Sequence, residues 1–83
     1  MILFDLNQQH QTDLLHVVTA TDAILLRQEA VYLMHNPQIG SLSCALYCLA
    51  ADAAIRGLVI SAPFTALDDR QWLELVLNAE HSL

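Results

Sequence analysis

The sequence predicts an α/β fold: a mostly parallel four-stranded sheet with helices on both faces. Short apolar runs alternate four times with helix-like segments along the chain. The run Ala23-Ile24-Leu25-Leu26 is apolar at every position, which suits a strand covered on both faces. Leu46 through Gly57 passes from an apolar strand into an alanine-rich helix with no loop residue between them. Strands and helices alternating over short connections imply right-handed crossovers, hence a parallel sheet.

Met1 to Leu6 is apolar enough for a buried first strand, and Asn7 to Gln11 is a polar connection. Thr12 or Asp13 then caps a helix carrying Leu14, Val17 and Val18 at i, i+3, i+4 spacing and closed by Thr21-Asp22. Ala23 to Leu26 forms the second strand, and Glu29 to His35 a short helix ended near Asn36-Pro37. Gly40 and Ser41 mark the next boundary, Leu42 to Leu49 the third strand and Ala50 to Arg56 the third helix, with Gly57 as its left-handed terminator. Pro63 opens a fourth strand, Phe64 to Leu67, at a sheet edge because proline cannot donate to the ladder. Asp68 and Gln71 make a capping box for the last helix. There Trp72, Leu75, Val76 and Ala79 form a stripe for the sheet. Leu73 and Leu77 widen the apolar arc beyond one sheet contact, which predicts a second face for another chain.

At 83 residues the chain is expected to be a single domain, 1–83, close to the lower limit for independent folding. It is 55% hydrophobic and only 14% charged, against roughly 25% charged in an average soluble domain. So small a core cannot hide that much apolar surface. A membrane span is excluded because the longest unbroken apolar run, Cys44 to Ala51, falls far short of the ~20 residues required; the excess is assigned to a protein interface. Met1-Ile2-Leu3-Phe4-Asp5 lacks the basic region of a secretory leader, so the expected location is cytoplasmic. A net charge of -6, with three arginines and no lysine, provides no cationic surface for phosphates and argues against direct nucleic-acid binding.

Cys44 and Cys48 are the residues with the most chemistry to weigh. Four apart on a strand, they share a face at about 13 Å, from about 3.3 Å per residue, beyond the ~7 Å that a disulfide spans. Their apolar neighbours suggest two buried structural thiols. The competing reading is a persulfide on Cys48, at the strand's C-terminal end, which needs an exposed low-pKa thiolate. His10, His16, His35 and His81 lack metal-like spacing, so no metal or cofactor is expected. His10 lies after the first strand, where α/β proteins place ligands, or is simply a solvated loop residue. Asn7-Gln8-Gln9-His10 has no dinucleotide-binding glycines, and Ser41, Ser43 and Ser61 have no nucleophile-elbow frame. Gln28, Glu29 and Tyr32 follow the second strand and are interface candidates, together with Trp72, Leu73 and Leu77; the structural alternative makes Glu29 a favourable first-turn acid and Tyr32 a packing residue. Asp52 and Arg56 are spaced for a weak i, i+4 pair.

Three segments, Leu25-Leu26-Arg27-Gln28-Glu29-Ala30-Val31-Tyr32, Leu46 through Gly57, and Leu67-Asp68-Asp69-Arg70-Gln71-Trp72-Leu73-Glu74-Leu75, resemble in order and spacing those of the DsrH/TusB family. The family's own segments run like L-L-x-Q-D-G-V-Y, V-Y-x-L-x-x-D-x-x-A-R-G and I-D-Y-x-x-F-V-x-L. This resemblance, over roughly Ala23 to Asn78, implies a small three-layer flavodoxin-like DsrE/F/H fold. It also implies assembly with DsrE/TusD-like and DsrF/TusC-like subunits into a hetero-oligomer that relays persulfide sulfur, toward tRNA wobble-uridine 2-thiolation in Tus systems or sulfur oxidation in Dsr systems. In Tus systems the acceptor cysteine belongs to the D-type subunit, so the resemblance implies a non-catalytic docking role here. The family's opening L-H-T-x-x-x-S-P is replaced by Ile2 through Gln9, and Leu14 to Thr21 lacks the DsrH-type cysteine, which favours the Tus-like role. Ala30 replaces a turn glycine, and the tail is shortened to Glu80-His81-Ser82-Leu83. The alternatives are a sulfurtransferase or sulfur-oxidation protein carrying persulfide on Cys48, and a diverged stand-alone homo-oligomer.

Overall fold

The computed structural model describes residues 1–8, 15–79 and 81–82. The strands are β1 (Ile2–Leu6), β2 (Ala23–Leu26), β3 (Ala45–Leu49), β4 (Thr65–Leu67) and β5 (His81–Ser82), and the α-helices are α1 (Pro37–Gly40), α2 (Ala50–Ile55) and α3 (Asp69–Asn78). Two 3₁₀ segments, Leu15–Val17 and Gln28–His35, complete the order. All strand pairs are parallel, in the order β4-β3-β2-β1-β5. The α/β class, the parallel sheet and its helices on both sides are as expected, in a small flavodoxin-like three-layer arrangement. β5 extends the anticipated sheet by a two-residue edge strand, paired as Ile2↔His81 and Leu3↔Ser82. Two residues carry no periodicity from which a strand could be read.

Side-chain alternation divides the core in two. Phe4, Leu6, Ile24, Leu26, Leu46 and Cys48 face one side, where Ala30, Val31, Leu33 and Met34 of the 3₁₀ segment, Ile39 of α1 and Ala53 of α2 cover them. Leu3, Ala23, Leu25 and Leu67 face the other, against Trp72, Leu75, Val76 and Ala79 of α3. β2, central to both, is buried at all its positions. The layering follows from chain direction: β1 to β4 step one way across the sheet, and α3 then returns the chain to β5 beside β1. A reversed step keeps right-handed connectivity only by crossing the opposite face, so α3 stands apart from the other helices.

Local signals shape the element ends. Asp68 Oδ1 accepts from Gln71 N at 2.8 Å and Gln71 Oε1 accepts from Asp68 N at 2.9 Å, closing the expected capping box. Gly57 ends the α2 turn at φ +70°, in the left-handed region. Asn36 caps α1, its Oδ1 accepting from Gln38 N at 2.9 Å, with Pro37 in the first turn.

Four expectations need correction. The third strand starts at Ala45, not Leu42, because the chain from Gly40 is still turning, with Leu42 N bonded to Ile39 O at 3.1 Å. The segment after β2 is 3₁₀ rather than α. β4 begins at Thr65, one residue after its expected start. In the described part of the expected first helix, Leu15–Val17 form a 3₁₀ turn and Val18 is no longer helical; the proposed caps Thr12 and Asp13 lie outside the described residues.

Candidate functional site

The strands' C-terminal ends bring the interface candidates of the second strand together with α2. Gln28 is exposed and adopts φ +51°, a left-handed conformation that a glutamine reaches only when held there. Asp52 holds it, Oδ2 accepting from the Gln28 backbone N–H at 2.8 Å. Glu29 accepts from Arg56 Nη2 at 3.1 Å, while Arg56 Nη1 donates to the Asp52 carbonyl at 3.1 Å. The anticipated Asp52–Arg56 side-chain pair is therefore not made: each residue instead reaches the turn after β2, and together they fasten that turn to α2. Tyr32 is partly exposed beside them.

A second cluster lies at the same end on the α3 side. Arg27 Nε donates to Asp5 Oδ1 at 2.6 Å, and the Arg27 guanidinium sits 4.6 Å from the Trp72 ring centroid. The indole edges a groove of about 320 Å³ lined by Asp69, Trp72, Leu73 and Val76. Leu73 and Leu77 are 58% and 74% exposed, as the sequence predicts for a second helix face, while Trp72 is shared between core and groove. The opposite flank of α3 borders a groove of about 210 Å³ with a more polar lining, from Tyr47, Gln71, Glu74 and Asn78. Sequence reasoning missed the Asp5–Arg27–Trp72 arrangement, although a single acid in an otherwise apolar strand is a signal that a buried partner awaits it.

Both thiols are free and buried in the core beneath the 3₁₀ segment and α2. Cys48 is completely inaccessible, and its pKa is pushed up to about 11, first by desolvation and then by the Asp52 carboxylate. Burial also raises the Cys44 pKa. Neither thiol is primed as a nucleophile, because the reactive form is the thiolate.

His16 and His35 are exposed, whereas His10 lies outside the described residues. Among the described residues no three His, Cys, Asp or Glu side chains are grouped as metal ligands, and no helix is long and apolar enough to cross a membrane.

Sheet order, helix placement and the buried thiols define a small parallel α/β protein with an exposed apolar helix flank. The family model described as DsrH like protein matches residues 5–82, nearly the whole chain, and the chain belongs to that family. Membership implies a role in sulfur relay, and the family generally works with DsrE and DsrF partners. No curated protein matches the chain significantly.

Proposed function

We propose that this chain is a single-domain, non-catalytic subunit of a cytoplasmic sulfur-relay complex, assembled with DsrE/TusD-like and DsrF/TusC-like subunits and supporting persulfide transfer for tRNA wobble-uridine 2-thiolation. The observation that carries this reading is the burial of both cysteines in a chain of a sulfur-relay family. A persulfide carrier must present its sulfur to a donor and then to an acceptor, and the inaccessible Cys48 presents none. Every arginine is engaged within the chain, Arg27 with Asp5, Arg56 with Glu29 and Arg70 with Glu74, which supports leaving RNA contact to other subunits.

The test is genetic complementation. Cells lacking the chain are expected to lose 2-thiouridine from tRNA and to regain it with a Cys44→Ala, Cys48→Ala version. Alanine is the suitable replacement because a serine hydroxyl at the Cys48 site would be buried without an assured partner. If the folded double variant fails to rescue, the non-catalytic assignment falls. If tRNA thiolation is unaffected by removing the chain, the relay serves another acceptor.

A further inference from the structure

Resting on the reading as a relay subunit, we propose that the groove on the α3 flank receives an apolar side chain from a partner subunit that carries a lysine or arginine beside it, and that this cation pairs with Asp69. The groove has an apolar floor of Trp72, Leu73 and Val76, continued by Leu77 one turn beyond Leu73, with Asp69 exposed on its rim. Tryptophan is among the residues enriched in binding hot spots, and the exposed leucines around it supply apolar contact that excludes water.

Charge decides what kind of partner fits. The chain carries nine acidic and three basic side chains, and all three arginines are engaged in internal pairs. Asp5, Glu29 and Glu74 are taken up by those pairs, while Asp22, Asp52 and Asp68 accept backbone hydrogen bonds. Asp69 has no such partner among the described residues, and it stands at the groove. A second copy of this chain would bring another net charge of -6 to the interface. Like charges across an interface suppress association, whereas a basic rim on a different subunit complements this surface. Ile55 and Val59, 78% and 83% exposed, lie outside the groove and serve as an internal control.

The experiment is co-expression with the DsrE- and DsrF-like subunits, native mass spectrometry, and affinity measurement by calorimetry at two salt concentrations. Leu73→Asp is expected to weaken assembly by about 30-fold or more, as for a central interface position. Asp69→Lys is expected to weaken it by about 10-fold and to flatten the salt dependence. Ile55→Asp is expected to stay within about 3-fold of wild type. All three positions are exposed, and circular dichroism melts verify that the variants fold. A complex that forms with unchanged affinity for Leu73→Asp overturns the groove assignment alone, and tighter binding by Asp69→Lys overturns the cationic partner. Absence of any complex with the wild-type chain overturns the relay-subunit reading and this inference with it.

Discussion

The Arg27 guanidinium lies 4.6 Å from the centroid of the Trp72 ring while its Nε donates to Asp5 at 2.6 Å. One side chain thus joins the ends of β1 and β2 to α3, the helix that, among the described residues, alone covers its face of the sheet. The Arg27 and Asp5 side chains are only 18% and 16% exposed, so solvent screens the pair less than an ordinary surface ion pair. The planar guanidinium matters because it stacks and donates at once, which a lysine ammonium does not.

Arg27→Ala is accordingly expected to cost about 2 kcal/mol, the sum of a cation–π contact and a charge-assisted hydrogen bond. In a domain of this size that lowers the melting midpoint by about 10 °C. Arg27→Lys should recover less than half of the loss, because the charge is restored without the stack. Full recovery by lysine would show that charge alone is used there.

Asp22 acts as a latch at the opposite end of the sheet. Its Oδ1 accepts from Ile2 N at 3.0 Å, and its Oδ2 accepts from Thr19 N and Thr19 Oγ1 at 3.0 Å each. The hydrogen bonds from the Thr19 and Ile2 amides hold its pKa below the ordinary value of 3.8. A lowered folded-state pKa means that the unfolded chain takes up the proton first, so the latch stabilises fully above 3.8 and is lost as pH falls below it. Urea unfolding of wild type and Asp22→Asn should therefore differ at pH 7 and converge as pH drops from 4 toward 2. A gap that persists undiminished at pH 2 would assign the effect to shape rather than ionisation.

The capping box offers a local test of α3. Asp68→Ala removes the acceptor for Gln71 N and should cost about 1 kcal/mol, whereas Asp68→Ser should retain most of it. Thermal melts of the two variants make the comparison. Negligible loss in both would show that α3 is held by Trp72, Leu75 and Val76 packing alone.

Elements whose signal is local were legible in the sequence. The apolar run of β2, the Gly57 stop, the Asp68–Gln71 box and the division of α3 into a partly buried stripe and an exposed flank all follow from neighbours within a few positions. The burial of both cysteines followed in the same way from their apolar flanks. Features made by pairing across the fold were not legible. The Asp5–Arg27 pair joins residues 22 apart, and Gln28 takes its left-handed turn from Asp52, 24 residues on. The spacing of Asp52 and Arg56 suggested an internal pair because sequence shows i, i+4 neighbours but not the turn that competes for both. β5 depends on α3 delivering two residues beside β1, a matter of topology rather than composition.

Cys48 connects stability to the proposed role. A thiol with a pKa of about 11 is thiolate to about one part in 10⁴ at pH 7, against a few per cent for a free cysteine near 8.5. Ellman's reagent should thus modify Cys48 at least about 100-fold more slowly in the native protein than in urea. Modification at the unfolded rate would mean that the site opens readily and would return Cys48 to consideration as a carrier. The same shift has an alkaline signature. A raised folded-state pKa gives stability that is complete below the unfolded value of about 9 and lost as pH rises toward 11. That loss amounts to about 2–3 kcal/mol, at 1.36 kcal/mol per pH unit. Cys48→Ala should be less stable than wild type at pH 7, because it leaves a small cavity under α2, yet it should lose less between pH 9 and 11. Parallel pH profiles for the two proteins would show that Cys48 ionises as readily in the folded chain as in the unfolded one, contrary to the desolvation on which its inertness rests.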